Sequence, residues 1–219
     1  EIYRCDWSSD VCSSDLDPET GKAQWYKTDA NGERVKTFSY GDASKNQIAI
    51  DRYTPDFFGG FSTNLSWKNL DMSAVFGYSV GGKIYNYARA EYDSDGTYTD
   101  RNQMKLQDGW SRWEKPGDIA THPQGIYNNG TNSNKASSRF LEDGSYLKLR
   151  NLTIGYNLAL PEWYISNLRL FVSGENLFTL TDYSGVDPEI PPHEGKITGV
   201  TTAVYPSTRK FMFGLNVTF

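Results

Sequence analysis

The chain is poor in the residues on which metal, disulfide and nucleic-acid chemistry depend. It has 219 residues but only two cysteines, Cys5 and Cys12, and two histidines, His122 and His193. With no second cysteine pair and no histidine nearby, the cysteine segment cannot complete a four-ligand zinc site. Long apolar runs are missing too, and the mean hydropathy is -0.62. That excludes a membrane-spanning helix but not membrane-spanning strands, which expose only alternate residues to lipid. The net charge is -5 and Lys and Arg are not clustered, which argues against a nucleic-acid partner because phosphate binding needs concentrated positive charge. No cofactor motif stands out.

Aromatics and glycine are abundant instead: 15 Tyr, 11 Phe, 6 Trp and 20 Gly, a balance that favours strands over helices. The final stretch, S-T-R-K-F-M-F-G-L-N-V-T-F, sets Phe211, Phe213, Leu215, Val217 and Phe219 on one parity and Lys210, Met212, Gly214, Asn216 and Thr218 on the other. Side chains alternate across a strand, so one face is apolar and must meet a core or lipid. An aromatic last residue with no polar tail is unusual for a soluble domain. The expectation is the last strand of an outer-membrane β-barrel, with those five residues toward lipid.

Residues 1–16 differ from the rest. They hold both cysteines, repeat Ser-Ser-Asp and lack alternation, and they read as a non-native scar to be set aside, leaving 17–219 as the folding part. No signal peptide is evident, so the natural amino terminus is expected upstream. From 17 to 53 the text predicts a hairpin: Trp25 and Tyr26 on one arm, Val35 and Phe38 on the other, and Asn31-Gly32 for the tight turn. Both arms are too polar for lipid. A clearer hairpin follows, with Phe61, Thr63, Leu65 and Trp67 alternating before Lys68-Asn69, and Leu70, Met72, Ala74, Phe76, Tyr78 and Val80 after it. A turn this short, followed by an excursion over 81–144, is the asymmetry of outer-membrane barrels. Trp67 beside the turn suits the interface between water and lipid.

Within the excursion, Glu91, Asp93, Asp95 and Gly96 imitate the start of a calcium loop, but the twelfth position is Asn102 where a bidentate Glu belongs. The default for this run is a solvated acidic turn. Trp110 and Trp113 are candidates for stacking on a sugar or partner, against the plainer role of pinning the loop to its own scaffold. Farther on, Leu152, Ile154, Tyr156 and Leu158 share one face, ahead of an aromatic cluster at Trp163 and Tyr164. Leu147 and Leu149 fall out of phase with them. Either a bulge near Arg150-Asn151 resets the phase, or Lys148 and Arg150 lie above the lipid. In the next strand Leu168, Leu170 and Val172 face out, leaving Arg169, Phe171, Ser173 and Glu175 toward the lumen. Arg169 and Glu175 are candidates for contact with a plug or solute, though lumen charges commonly pair with each other. A loop over 181–205 carries Asp187, Glu189, His193 and Glu194, without the spacing of a zinc protease or a nucleophile elbow. No enzyme is expected.

Three runs carry a resemblance: S-R-F-L-E-D-G-S-Y-L-K-L-R-N-L-T-I-G-Y-N-L from Ser138, L-R-L-F-V-S-G-E-N-L-F-T-L-T-D-Y-S-G-V-D-P-E from Leu168, and Y-P-S-T-R-K-F-M-F-G-L-N-V-T-F from Tyr205. With P-D-F-F-G-G-F-S-T-N-L-S-W and W-S-R-W-E-K-P-G-D upstream, this text resembles the carboxyl-terminal part of SusC/RagA-type TonB-dependent transporters of Bacteroidota, over 55–219. The resemblance implies an all-β fold: antiparallel strands of a large transmembrane barrel of about 22 strands, present here only in part, with long extracellular loops. It implies import of glycans, oligosaccharides or peptides with a SusD-like surface lipoprotein. Energy would come from the TonB complex, through an amino-terminal part not contained in this chain. A fragment with open strand edges is expected neither to transport nor to be stable in lipid. A siderophore receptor and a secreted carbohydrate-binding sandwich are the alternatives.

Overall fold

The computed structural model describes residues 16–46, 51–128, 133–160, 164–189, 199–201 and 205–219. The chain divides into two compact units, one drawn from 54–82, 143–189 and 205–219, the other from the residues before, between and among them.

The first of these is a single antiparallel sheet. β3 (Phe57–Trp67) and β4 (Leu70–Val80) form the expected hairpin, joined by Lys68 and Asn69, with Lys68 at a left-handed φ of 54°. β7 (Tyr146–Ala159), β8 (Asn167–Thr181) and β10 (Lys210–Thr218) complete it in the order β10-β8-β7-β4-β3. Among the described residues its two end strands, β3 and β10, each have one unpaired edge, so the sheet is not a closed barrel.

Register turns the alternation into two chemically distinct faces. One row reads Trp67, Leu70, Tyr156, Leu170, Leu215; the next reads Leu65, Met72, Ile154, Val172, Phe213; farther along lie Phe61, Phe76, Leu149 and Phe178. The opposite face reads Asn64, Ser73, Thr153, Ser173, Met212 and, one level on, Ser62, Val75, Asn151, Glu175, Lys210. Among the described residues the apolar face is largely exposed, with Phe213 at 80% and Trp67 at 70%, although Ala74 and Leu149 are buried. Each large apolar side chain left in water forgoes about 1.5–3 kcal/mol, so this face is built for an apolar surrounding.

The phase conflict in β7 is resolved by a bulge. Val75 pairs Asn151 and Phe76 pairs Leu149, so Arg150 is the extra residue, and opposite it β8 inserts Asn176 and Leu177 between Glu175 and Phe178. The inserted residue turns Leu147 and Leu149 onto the face of Leu152 and sends Lys148 to the polar side. Asn176 takes a φ of 52°, which asparagine tolerates better than most residues.

The second unit is built from short elements. β1 (Trp25–Thr28) and β2 (Arg34–Thr37) make the small hairpin foreseen around Asn31-Gly32, and α1 (Tyr40–Ala43) follows, capped by the Ser39 side chain. Trp25, Ala43 and Tyr40 pack together. β5 (Lys83–Asn86) runs parallel to β9 (Val200–Thr201) in a three-stranded sheet with β6 (Leu141–Asp143), and α2 (Tyr87–Tyr92) begins at the Asn86 cap. Tyr85, Ala90 and Phe140 form its core.

The two faces of β10 should respond differently to charge. In the full-length protein, Phe213→Arg is expected to cost about 2–4 kcal/mol if it lies near the bilayer midplane, lowering the heat-modifiable fraction on gels. Asn216→Arg, on the polar face, should assemble nearly as the parent does.

Candidate functional site

The polar face of the sheet is an ordered wall whose charges are mutually paired. Arg169 on β8 forms a two-point pair with Asp71 on β4, at 3.1 Å through Nε and 2.5 Å through Nη2, and the Asn157 amide donates to the same carboxylate at 2.8 Å. Glu175 pairs with Lys210 at 3.3 Å, while Thr153 and Ser173 share a hydrogen bond at 2.9 Å. Both lumen candidates, Arg169 and Glu175, thus have ionic partners within the wall. The exposed Lys210–Glu175 pair adds little stability; the half-buried, two-point Arg169–Asp71 pair fixes side-chain direction on a surface with little unbalanced charge.

A second cluster was not recognised from the sequence. Lys148, which the bulge sends to the polar side, is 3% exposed and donates to Asp187 and Glu189 at 3.1 Å each. Arg150 Nη2 takes the other Glu189 oxygen at 2.6 Å, and the Ser207 hydroxyl donates to Asp187 at 2.7 Å. The Asp187-Pro188-Glu189 segment after β8 and Ser207 before β10 are therefore both tied to β7. Burial alone would raise the Asp187 carboxyl, but hydrogen bonds from Ser207, the Glu189 backbone and Lys148 outweigh it and hold it below its ordinary value. These carboxylates have a structural task. His193 and Glu194 lie outside the described residues.

In the other unit the acidic run departs from the expected solvated turn. Asp93 and Asp95 are both fully buried. Asp95 receives Arg112 at 2.7 Å, Arg139 at 2.8 Å and the Ser133 hydroxyl at 2.8 Å. Asp93 faces His122 Nε2 at 2.8 Å, Arg139 at 3.2 Å and Arg89 at 3.5 Å. Buried charge is tolerated only when paired and hydrogen-bonded, and here both Asp95 oxygens and Asp93 Oδ2 are held by arginine, serine or histidine side chains, while Asp93 Oδ1 has only Arg112 at 4.0 Å. Gly96 has its own reason: at a φ of 93° it lies against the Ile126 carbonyl, where a Cβ would overlap. Burial pushes the Asp93 carboxyl up, but the His122 hydrogen bond and the charges of Arg139, His122 and Arg89 prevail and hold it below the usual range.

Trp113 is buried, donates through Nε1 to the Pro18 carbonyl at 2.7 Å and packs on Gly21. Trp110 lies 4.9 Å from the His122 ring and 4.3 Å from the Arg89 guanidinium. Both are engaged within their own unit. Of the interfacial candidates, Trp67 and Tyr156 share one row of the apolar face, Tyr164 is fully exposed between β7 and β8, and Trp163 lies outside the described residues. Phe211, Phe213, Leu215 and Val217 stand on the apolar face; Phe219 lies one residue past β10.

No family model matches the chain. It is similar to TonB-dependent receptor P3 of Formosa agariphila, 34% identical over 216 residues, covering 94% of this chain and 20% of that protein. TonB-dependent receptor P26 of the same organism is 31% identical over 213 residues, covering 93% and 20%. Among solved structures, the RagAB peptide importer in its closed-closed state matches with a TM-score of 0.73 at 28% identity, over 95% of this chain and 22% of that one. The structure of the RagAB peptide transporter matches equally well at 27% identity. The chain therefore spans about a fifth of the length of the curated relatives it matches.

Lys148→Met should leave Asp187 and Glu189 without their shared cation. A loss of about 2–3 kcal/mol is expected, less than for a fully enclosed pair because Glu189 is partly exposed. A lowered temperature for loss of heat-modifiable mobility in the full-length protein reads it, and adding Asp187→Asn with Glu189→Gln should restore most of it. For Asp93 the folded value lies below the ordinary 3.8. Its contribution is therefore fully present above that pH and is lost as pH falls through the lower folded value. Acid titration of near-ultraviolet circular dichroism should show this loss, and Asp93→Asn should remove it.

Proposed function

This chain belongs to the SusC/RagA-type TonB-dependent receptors of the outer membrane, and from that premise we propose that the complete receptor imports peptides or oligosaccharides. The observation that carries the reading is the two-faced sheet. Its apolar side, uncovered along five strands, suits lipid, and its polar, internally paired side suits the wall of an aqueous lumen. A soluble sandwich would bury that apolar face against a second sheet, yet Phe213 and Trp67 remain largely exposed.

The sheet supplies a sector of the barrel wall, and the open edges of β3 and β10 are where further strands of the receptor add. That closure is required because unpaired backbone groups each cost several kcal/mol in hydrocarbon. The receptor works as a transporter and not as an enzyme, drawing energy from the TonB complex and working with a SusD-like surface lipoprotein. Similarity to two structures described as a peptide importer and a peptide transporter favours peptides among the solutes.

The test is deletion of the receptor gene in its host. Growth on a peptide mixture or oligosaccharide as sole nutrient should be lost, while growth on free amino acids and monosaccharides persists, and deleting the neighbouring lipoprotein gene should reproduce the defect. Loss confined to ferric-siderophore uptake would overturn the proposal in favour of the siderophore class.

A further inference from the structure

Glycine within a strand usually weakens it, and where it recurs beside a large residue it marks a close approach. On the polar face one level of the sheet reads Ser66, Asp71, Gly155, Phe171, Gly214, so that Phe171 on β8 has a glycine on both neighbouring strands. A Cβ on Gly214 would overlap the Phe171 ring. A Cβ on Gly155 would overlap the Arg169 guanidinium, which crosses that glycine to reach Asp71 and lies 5.2 Å from the Phe171 ring. The space above each glycine is thus already occupied by a β8 side chain.

This matters for β10 because no tight turn sets its register; outside the strand pairing it is held near its ends, by Ser207 on Asp187, Asn176 on the Thr208 carbonyl and Ser166 on the Thr218 carbonyl. Residues 182–209 separate β8 from β10, far too many to act as a register-setting hairpin turn. Side-chain parity forbids a slip of one residue, which would bring Phe211, Phe213 and Leu215 to the polar side. A slip of two preserves both faces and is invisible to the hydrophobic pattern. It would, however, bring Met212 or Asn216 opposite Phe171, whose ring would have to leave its seat on the β10 backbone to admit a side chain there. The Lys210–Glu175 pair would also be displaced, but so exposed a pair holds little.

We propose that Phe171 seated on Gly214, and flanked on its other side by Gly155, is the register lock of β10: it separates the native pairing from the two slips that alternation cannot distinguish. Aromatic cover over a strand glycine pins register in the same physical way in designed sheets. The lock is a property of the β8–β10 pair and stands independently of the solute carried.

The experiment uses disulfide cross-linking in the full-length receptor, with assembly scored by heat-modifiable mobility. Met212→Cys with Ser173→Cys reports the native register; Met212→Cys with Glu175→Cys and Lys210→Cys with Ser173→Cys report the two slips. The parent should cross-link only in the native register, and Phe171→Ala should raise a slipped cross-link about tenfold. Gly214→Ala alone should lower the assembled, natively cross-linked fraction about tenfold by overpacking. Combining Gly214→Ala with Phe171→Ala should restore assembly. The lock is refuted if assembled Phe171→Ala protein stays wholly in the native register, if Gly214→Ala behaves as the parent, or if the double variant is no better than Gly214→Ala.

Discussion

The sheet depends on one constraint: among the described residues, its apolar face is largely exposed. Rows such as Leu65, Met72, Ile154, Val172 and Phe213 present large side chains outward on every strand. In water this arrangement would expose them side by side; in lipid it needs no second layer. Hydrocarbon adds a further demand, since each backbone N–H and C=O must be paired within the protein. The paired interior strands meet that demand, and the outer edges of β3 and β10 meet it only when further strands are present.

The polar face obeys a complementary rule. Its charges are paired across strands, Asp71 with Arg169, Glu175 with Lys210, and Lys148 and Arg150 with Asp187 and Glu189. Pairing of this kind fixes the direction of long side chains and leaves the wall nearly neutral. Glycine supplies the remaining freedom, letting Arg169 and Phe171 lie close against the neighbouring strands. In the other unit the cores are small, and a buried node of Asp93, Asp95, Arg112, Arg139, Arg89 and His122 adds to what the apolar clusters hold together.

Much of this was legible in the sequence because it is written in a period of two. The Lys68-Asn69 hairpin and the shared parity of Leu168, Leu170 and Val172 follow from alternation, and its interruption near Arg150-Asn151 left a bulge as one of two readings, the one the register shows. What periodicity does not carry is the identity of distant partners. Asp93 and Asp95 look like a solvated turn until Arg112 and Arg139, from later in the chain, are placed on them. Lys148 and the D-P-E segment are likewise separated by some forty residues, and only the bulge turns the lysine toward the acids. The one available signal was the conflict of phase around Lys148 and Arg150: a lysine turned to the wall requires an acid there.

The central claim, that one face of this sheet meets lipid and the other water, is tested most directly by spin-label scanning of β10. A nitroxide placed singly at each position from Lys210 to Thr218 of the full-length receptor, reconstituted in a bilayer, reports access to oxygen in lipid and to a nickel chelate in water. Oxygen access should peak at Phe211, Phe213, Leu215 and Val217 and nickel access at the positions between them. Absence of a two-residue period, or the opposite phase, would contradict the account.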